Sequence, residues 1–141
     1  MGQKMSDVFS IEVGVRDYEL DMQGILNNSV YMNYLEHARH EFLHSVGIDF
    51  AEYARKGINL VVIRAEMDYK SSLVSADKCR IEVSVQQESK VKFAFIQKII
   101  KLPKDDSDKE KVVMNAKIIG AALNQRGRPE VIEDLAKLFV E

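Results

Sequence analysis

The apolar residues of this chain change their spacing twice, and that change limits the fold more than any other feature. From Asp7 to Val15 they alternate. Phe9, Ile11, Val13 and Val15 fall on one side of an extended segment, with Val8, Ser10, Glu12 and Gly14 on the other. Between Ser29 and Gly47 the interval becomes three and four. Tyr31, Tyr34, Leu35, Ala38, Phe42 and Val46 then share one stripe, which predicts a single long helix stopped by Gly47. Alternation returns in INLVVIRAEMDYKSSL, ADKCRIEVSVQQE, KVKFAFIQKIIKL and EKVVMNAKIIGAAL, four further strand regions. Strand, long helix and four strands predict an α+β domain with one helix packed on a face of an antiparallel sheet.

The intervening segments fit that plan. DFAEYARKG, Asp49 to Gly57, reads as a short helical or irregular piece ahead of the second strand. PKDDSDKE is too charged to pack and reads as a solvated hairpin loop. RGRPEVIEDLAKLFVE places Pro129 near a helix start and Val131, Leu135 and Leu138 at helical spacing, predicting a short closing helix. With no repeat or linker, residues 1–141 are expected to form one domain.

Charge and cysteine usage exclude several functions. Twenty Lys and Arg against 22 Asp and Glu leave a net charge of -2, not the positive field that nucleic acids require. No nucleic-acid partner is expected. MGQKMSDVFS lacks the apolar core of a secretory signal, and no run approaches the roughly twenty residues of a membrane span, so a cytoplasmic protein without a membrane partner is expected. Cys79, the single cysteine, reads as a reduced strand thiol. A sheet covered on one face only, with exposed strand edges, also predicts self-association.

The segment VRDYELDMQGILNNSVYMNYLEHARHEFL carries the densest chemistry, with Asp21, Gly24 and Asn28 at its centre. The amides of a helix's first turn lack intrahelical acceptors and can stabilise negative charge on a substrate carbonyl oxygen. Gly24 allows close backbone approach. A neighbouring carboxylate can activate water as a base or attack directly, and Asp21 is the obvious candidate, although Asp17 and Glu19 lie in the same loop. Asn27, Asn28 and Ser29 also suit ordinary helix capping. Glu36 and Arg39 are spaced for an intrahelical ion pair, and Tyr31, Tyr34 and Phe42 for packing on the sheet. His37, His40 and His44 share the helix but lack a HExxH arrangement, so no metal is expected.

Asp21-Met22-Gln23-Gly24-Ile25-Leu26-Asn27-Asn28-Ser29, followed by the aromatic helix with Glu36-His37-Ala38-Arg39, resembles the motif of the hotdog-fold acyl-CoA thioesterases, in particular the 4-hydroxybenzoyl-CoA thioesterase-like family. The likeness continues through Gly47, IRAEMDYKSSL, Ala76-Asp77 and Arg128-Pro129, nearly the whole chain. It implies the hotdog fold, one long helix on a curved antiparallel sheet, with active sites at subunit interfaces of a dimer or tetramer. The implied reaction is hydrolysis of an acyl-CoA to free acid and coenzyme A, with no cofactor besides the coenzyme A of the substrate. Asp21 becomes the catalytic aspartate, the Asn28 N–H the donor to the thioester carbonyl, and Gly24 the residue shaping the approach. Asn27, Ser29 and Tyr31 line the substrate, and Lys70, Lys90 and Lys92, with Arg64 and Lys78, are candidate cations for its phosphates.

Three positions depart from the pattern. Many relatives carry His or Tyr at Asn28, Asn at Val30 and Pro at Ser72. A backbone donor survives the change at Asn28, whereas an imidazole or ring contact does not. The alternative is therefore a non-catalytic module that binds acyl-CoA or acyl-carrier protein. Tyr31, Tyr34, Ile63 and Met67 are the residues expected to decide the acyl group.

Overall fold

A computed structural model describes residues 8–139. Asp7, at the start of the expected first strand, and Val140 and Glu141, at the end of the expected closing helix, lie outside the described residues. Strand β1 (Phe9–Gly14) leads through a single 3-10 turn (Asp17–Glu19) to the long helix α1 (Asn28–Ser45) and a short helix α2 (Phe50–Arg55). Strands β2 (Asn59–Tyr69), β3 (Lys78–Gln87), β4 (Lys92–Lys101) and β5 (Lys111–Leu123) follow. A two-residue strand β6 (Pro129–Glu130) and a one-turn helix α3 (Glu133–Ala136) end the described chain.

The strands form one antiparallel sheet in the order β1-β3-β4-β5-β2, with β6 on β5. The register slips between Val62 and Arg64 and between Ile99 and Ile100. Such irregularities bend a strand and increase its twist, which lets the sheet curve around the helix.

α1 is defined at both ends by the residues that the sequence supplies there. The Asn27 side chain accepts from the Ser29 amide at 3.0 Å as the N-cap. At the other end Gly47 adopts φ +82°, with Gly47 N–H donating to His44 O and Ile48 N–H to Leu43 O. That pairing is the left-handed helix stop for which glycine is favoured. Val46, expected on the apolar stripe, is instead the C-cap residue and is exposed.

The stripe itself is buried: Tyr31, Tyr34, Leu35, Ala38, Phe42 and Leu43 meet the inward-facing residues of the sheet, including Cys79, Ile81, Val83, Ile99, Met114 and Ile118. Phe42 packs 5.6 Å from the Phe9 ring and 6.4 Å from the Phe95 ring, centroid to centroid. On β1 the alternation holds as expected, with Phe9, Ile11 and Val13 turned toward the core and Ser10, Glu12 and Gly14 exposed.

Two further expectations fail. Pro129 does not begin a helix: it starts β6, pairing with Leu123, and the closing helix is reduced to Glu133–Ala136. Proline suits an outer strand because its missing N–H is not needed there. Arg39 does not pair with Glu36. It is buried beneath α1 and donates from Nη1 to Gln97 Oε1 at 3.0 Å, while Glu36 lies 3.9 Å from His40 on the exposed face.

Candidate active site

The loop between the 3-10 turn and α1 is a closed, hydrogen-bonded unit. Leu20 and Leu26 form an isolated antiparallel bridge, and inside it Asp21 N–H donates to Ile25 O at 2.8 Å. Gly24 N–H returns to Asp21 O at 3.0 Å, which requires the left-handed φ of +82° at Gly24. Asp21 Oδ1 accepts from Gln23 N–H at 2.8 Å and Ile25 N–H at 3.4 Å, an Asx-type turn. The loop is anchored outward by Leu26 N–H to Leu73 O and Asn27 N–H to Glu19 O.

The three acids of this region have different partners. Asp17 accepts from Ser75 Oγ. Glu19 Oε1 accepts from the Tyr34 hydroxyl at 2.7 Å and from Arg16 N–H at 2.9 Å, and Arg16 Nη2 lies 3.3 Å from its other oxygen. Burial raises the Glu19 pKa, but the bonds from Tyr34 and Arg16 outweigh it and hold the carboxyl below its usual range. The Tyr34 hydroxyl is pushed up in turn, by burial first and by Glu19 second. Asp21 accepts from backbone amides of its own turn, and its Oδ2 has no hydrogen-bond partner among the described residues.

At the start of α1, the Ser29 amide is capped by Asn27 and the Val30 amide donates to Asn27 O. The Asn28 N–H makes no hydrogen bond among the described residues. Asn28 lines a cavity of about 360 Å³ with Ile25, Leu26, Tyr31, Tyr69, Lys70 and Ser72. Tyr31 and Tyr69 meet edge to face there at 5.3 Å. Asp21 is not on the wall of this cavity but is tied through its backbone to Ile25, which is.

The remaining positions separate. Ser29 and Asn27 serve the cap, with Ser29 Oγ 3.0 Å from Asn27 Oδ1. Lys70 reaches the cavity, whereas Lys90 and Lys92 sit at the β3–β4 turn beside a different cavity of about 160 Å³ under the C-terminal segment. Tyr69 pairs with Met114 and Lys92 with Ala121, so these groups lie at opposite ends of β5, about 23 Å apart at ~3.3 Å per residue. Arg64 is paired with Glu66 at 2.8 Å, and Lys78 is exposed at the start of β3. No group of three or more His, Cys, Asp or Glu is placed to hold a metal among the described residues.

Two features of the site region are not visible in the sequence. The Glu19–Tyr34 bond ties the loop to α1, and nothing in the spacing of these residues announces it. Arg39 and Gln97 form a buried polar pair within the core. Gln97 occupies an inward position in the series Phe93, Phe95, Gln97, Ile99, and a glutamine in such a register needs a buried partner.

Residues 15–139 match the thioesterase-like superfamily. The chain belongs to that family, and its architecture is the hotdog fold. It is 39% identical over 128 residues, 91% of this chain, to the acyl-acyl carrier protein thioesterase ATL3, chloroplastic, of Arabidopsis thaliana, of which the match covers 65%. The chain thus spans a little under two thirds of that curated relative, and 61% of the related ATL2. A crystal structure of a hypothetical protein from Aquifex aeolicus superposes with a TM-score of 0.79 at 26% identity, over 94% of this chain and 99% of that one. A 4-hydroxybenzoyl CoA thioesterase mutant complexed with 4-hydroxybenzoyl CoA superposes with a TM-score of 0.83 at 15% identity, over 95% and 99% of the two chains. No helix of the described residues is long and apolar enough to cross a membrane.

Proposed function

We propose that this chain hydrolyses an acyl thioester, releasing a carboxylic acid and the thiol of coenzyme A or of an acyl carrier protein. The observation that supports this reading is that one loop of fixed hydrogen bonds carries both a carboxylate oxygen, on Asp21, and a helix-start amide, on Asn28, that have no hydrogen-bond partner among the described residues. The amide donates to the thioester carbonyl oxygen and stabilises the charge that develops there. Asp21 removes a proton from a water as it attacks the carbonyl carbon, or attacks the carbon itself to give an anhydride that water then opens. In either route the carbon–sulfur bond breaks and the thiolate leaves. Water is the sole co-reactant, and no cofactor is invoked.

The working unit is a homo-oligomer built on β2. Among the described residues this strand pairs with β5 on one side only, and Val62, Ile63 and Tyr69 along it are each about half exposed. An antiparallel pairing of two such edges continues the sheet and satisfies the open backbone groups. It also sets opposite ends of the two sheets side by side, so that Lys90 and Lys92 of the partner subunit fall at the end where Asn28 and Lys70 lie. Those lysines then serve the phosphates of the substrate together with Lys70, which one chain alone does not allow. Cys79, a buried thiol, suits the reducing cytoplasm.

The test is thiol release from a panel of aliphatic and aromatic acyl-CoAs and acyl-carrier proteins, alongside binding of a thioether analogue that cannot be cleaved. Release above the uncatalysed rate supports hydrolysis. Analogue binding with no release from any member of the panel overturns it in favour of a binding module.

A further inference from the structure

Lys56, Arg126 and Arg128 stand outside the proposed chemistry, yet they gather at the end of the sheet where β2 and β4 begin and β5 ends. Lys56 and Arg126 line a polar cavity of about 460 Å³ with Gly57, Asn124, Gln125 and Glu130. Glu130 also borders the neighbouring cavity that carries Lys90, Lys92 and the 57% exposed Val131. It is the only acid lining either cavity among the described residues, and it accepts from Asn124 Nδ2 at 2.9 Å. Lys56, Lys90, Lys92, Arg126 and Arg128 are exposed and make no ion pair among the described residues. A chain of net charge -2 thus presents one cationic surface.

The cations project from a rigid base. Gln125 packs so closely on Gly57 that a Cβ there would lie 2.5 Å from its Cγ, which fixes the turn after β5 against the segment bearing Lys56. Within the turn Asn124 N–H donates to Arg128 O at 2.8 Å and Gly127 N–H to Asn124 O at 2.9 Å. The Arg126 and Arg128 amides donate to Asn124 Oδ1 at 2.9 and 3.1 Å. A phosphate seated on a loop is held by free backbone amides, and here those of Arg126, Gly127 and Arg128 are all taken. Only side chains remain to receive an anion. They spread over the ends of three neighbouring strands, about 10 Å across at ~4.8 Å per strand, beside an exposed valine. Charged rim and apolar contact together are the anatomy of a protein interface.

We infer that this surface docks an acidic protein domain, the carrier-protein form of the proposed substrate, with its carboxylates on Lys56, Arg126 and Arg128. The inference rests on the thioesterase reading. A carrier protein holds its acyl group on an arm joined to the protein through a phosphate, so the protein sits beside whatever receives that phosphate. Lys90 and Lys92, the lysines proposed for the phosphates, adjoin the surface across Glu130. Lys56 lies three residues before β2, so in a dimer paired along β2 the surface borders the cleft of the partner subunit. Pairing of this kind is electrostatic, and salt weakens it.

Calorimetric titration with apo acyl-carrier protein, which lacks the arm and cannot react, measures docking by itself. Its affinity is expected to fall at least about tenfold between about 50 and 500 mM NaCl. A similar loss is expected in the double variant Lys56→Glu/Arg126→Glu, at two exposed positions, with the native circular dichroism spectrum retained. In that variant KM for an acyl-carrier protein rises at least about tenfold, whereas KM for the acyl-CoA of the same acyl group stays within about twofold. No binding of the apo carrier protein, or binding indifferent to salt and to the variant, overturns the inference. A KM for acyl-CoA that rises in step overturns it as well, because the cations then serve coenzyme A. Thiol release from neither thioester overturns the thioesterase reading, while the titration still decides docking.

Discussion

Asp17, Glu19 and Asp21 stand within five positions of one another, and only their partners tell them apart. Glu19 is committed to Tyr34 and Arg16, and its lowered pKa makes it a structural carboxylate. Because the folded value lies below the unfolded one, near 4.3, its contribution to stability is full above about pH 5 and fades as pH falls toward the folded value. Glu19→Gln is therefore expected to lower Tm most at neutral pH, with the gap from the unaltered protein closing in acid. A gap that stays constant from pH 7 to pH 3 contradicts this role. Cys79 is a second test at this scale. Burial, followed by the charges of Asp77 and Glu19, pushes its thiol up to about 12. Iodoacetamide at pH 8 is expected to leave the native protein unlabelled and to label it fully in denaturant, as read by mass spectrometry. What the sequence could not convey here is pairing at a distance. Glu36 and Arg39 are spaced for an ion pair along the helix, and only the fold brings Gln97, 58 residues later, beneath Arg39.

At the scale of elements, local rules were enough where the interaction is local. The helix stripe, its Asn27 cap, the Gly47 stop and the alternation of β1 are all readable because each depends on residues a few positions apart. The C-terminal segment departs from its helical spacing because β6 exists only through Leu123 and Ala122, so the spacing of Val131, Leu135 and Leu138 competes with a tertiary pairing. The loop ahead of α1 combines both kinds of information. Its turn requires φ +82° at Gly24, where an added Cβ would meet nothing within 4 Å. Gly24→Ala therefore introduces backbone strain without a clash, a cost of about 1–2 kcal/mol. Denaturant unfolding is expected to show a loss of that size, with the native circular dichroism spectrum retained. No measurable loss means that the turn is not held as described.

The whole molecule has an unfinished edge. α1 covers one face of the sheet, but β2 leaves an eleven-residue edge open with Val62 and Ile63 about half exposed. Ile63→Asp places a charge on that edge without entering the core. Light scattering is expected to change from an oligomer for the unaltered protein to a monomer for this variant, and a variant that stays oligomeric assigns the interface elsewhere. The family and its fold were legible in the sequence because the Asp21–Ser29 motif and the period changes reach across nearly the whole chain. The cavity beside Asn28 was not, since it is assembled from α1 and the far end of β2, more than forty residues on. Thioester cleavage is assigned to the loop from Asp21 to Asn28. Its most direct test is thiol release by Asp21→Asn, with folding and assembly verified. Loss of the carboxylate base is expected to lower kcat by about 10²–10⁴ with the oligomer intact, whereas turnover at the unaltered rate contradicts a catalytic role for Asp21.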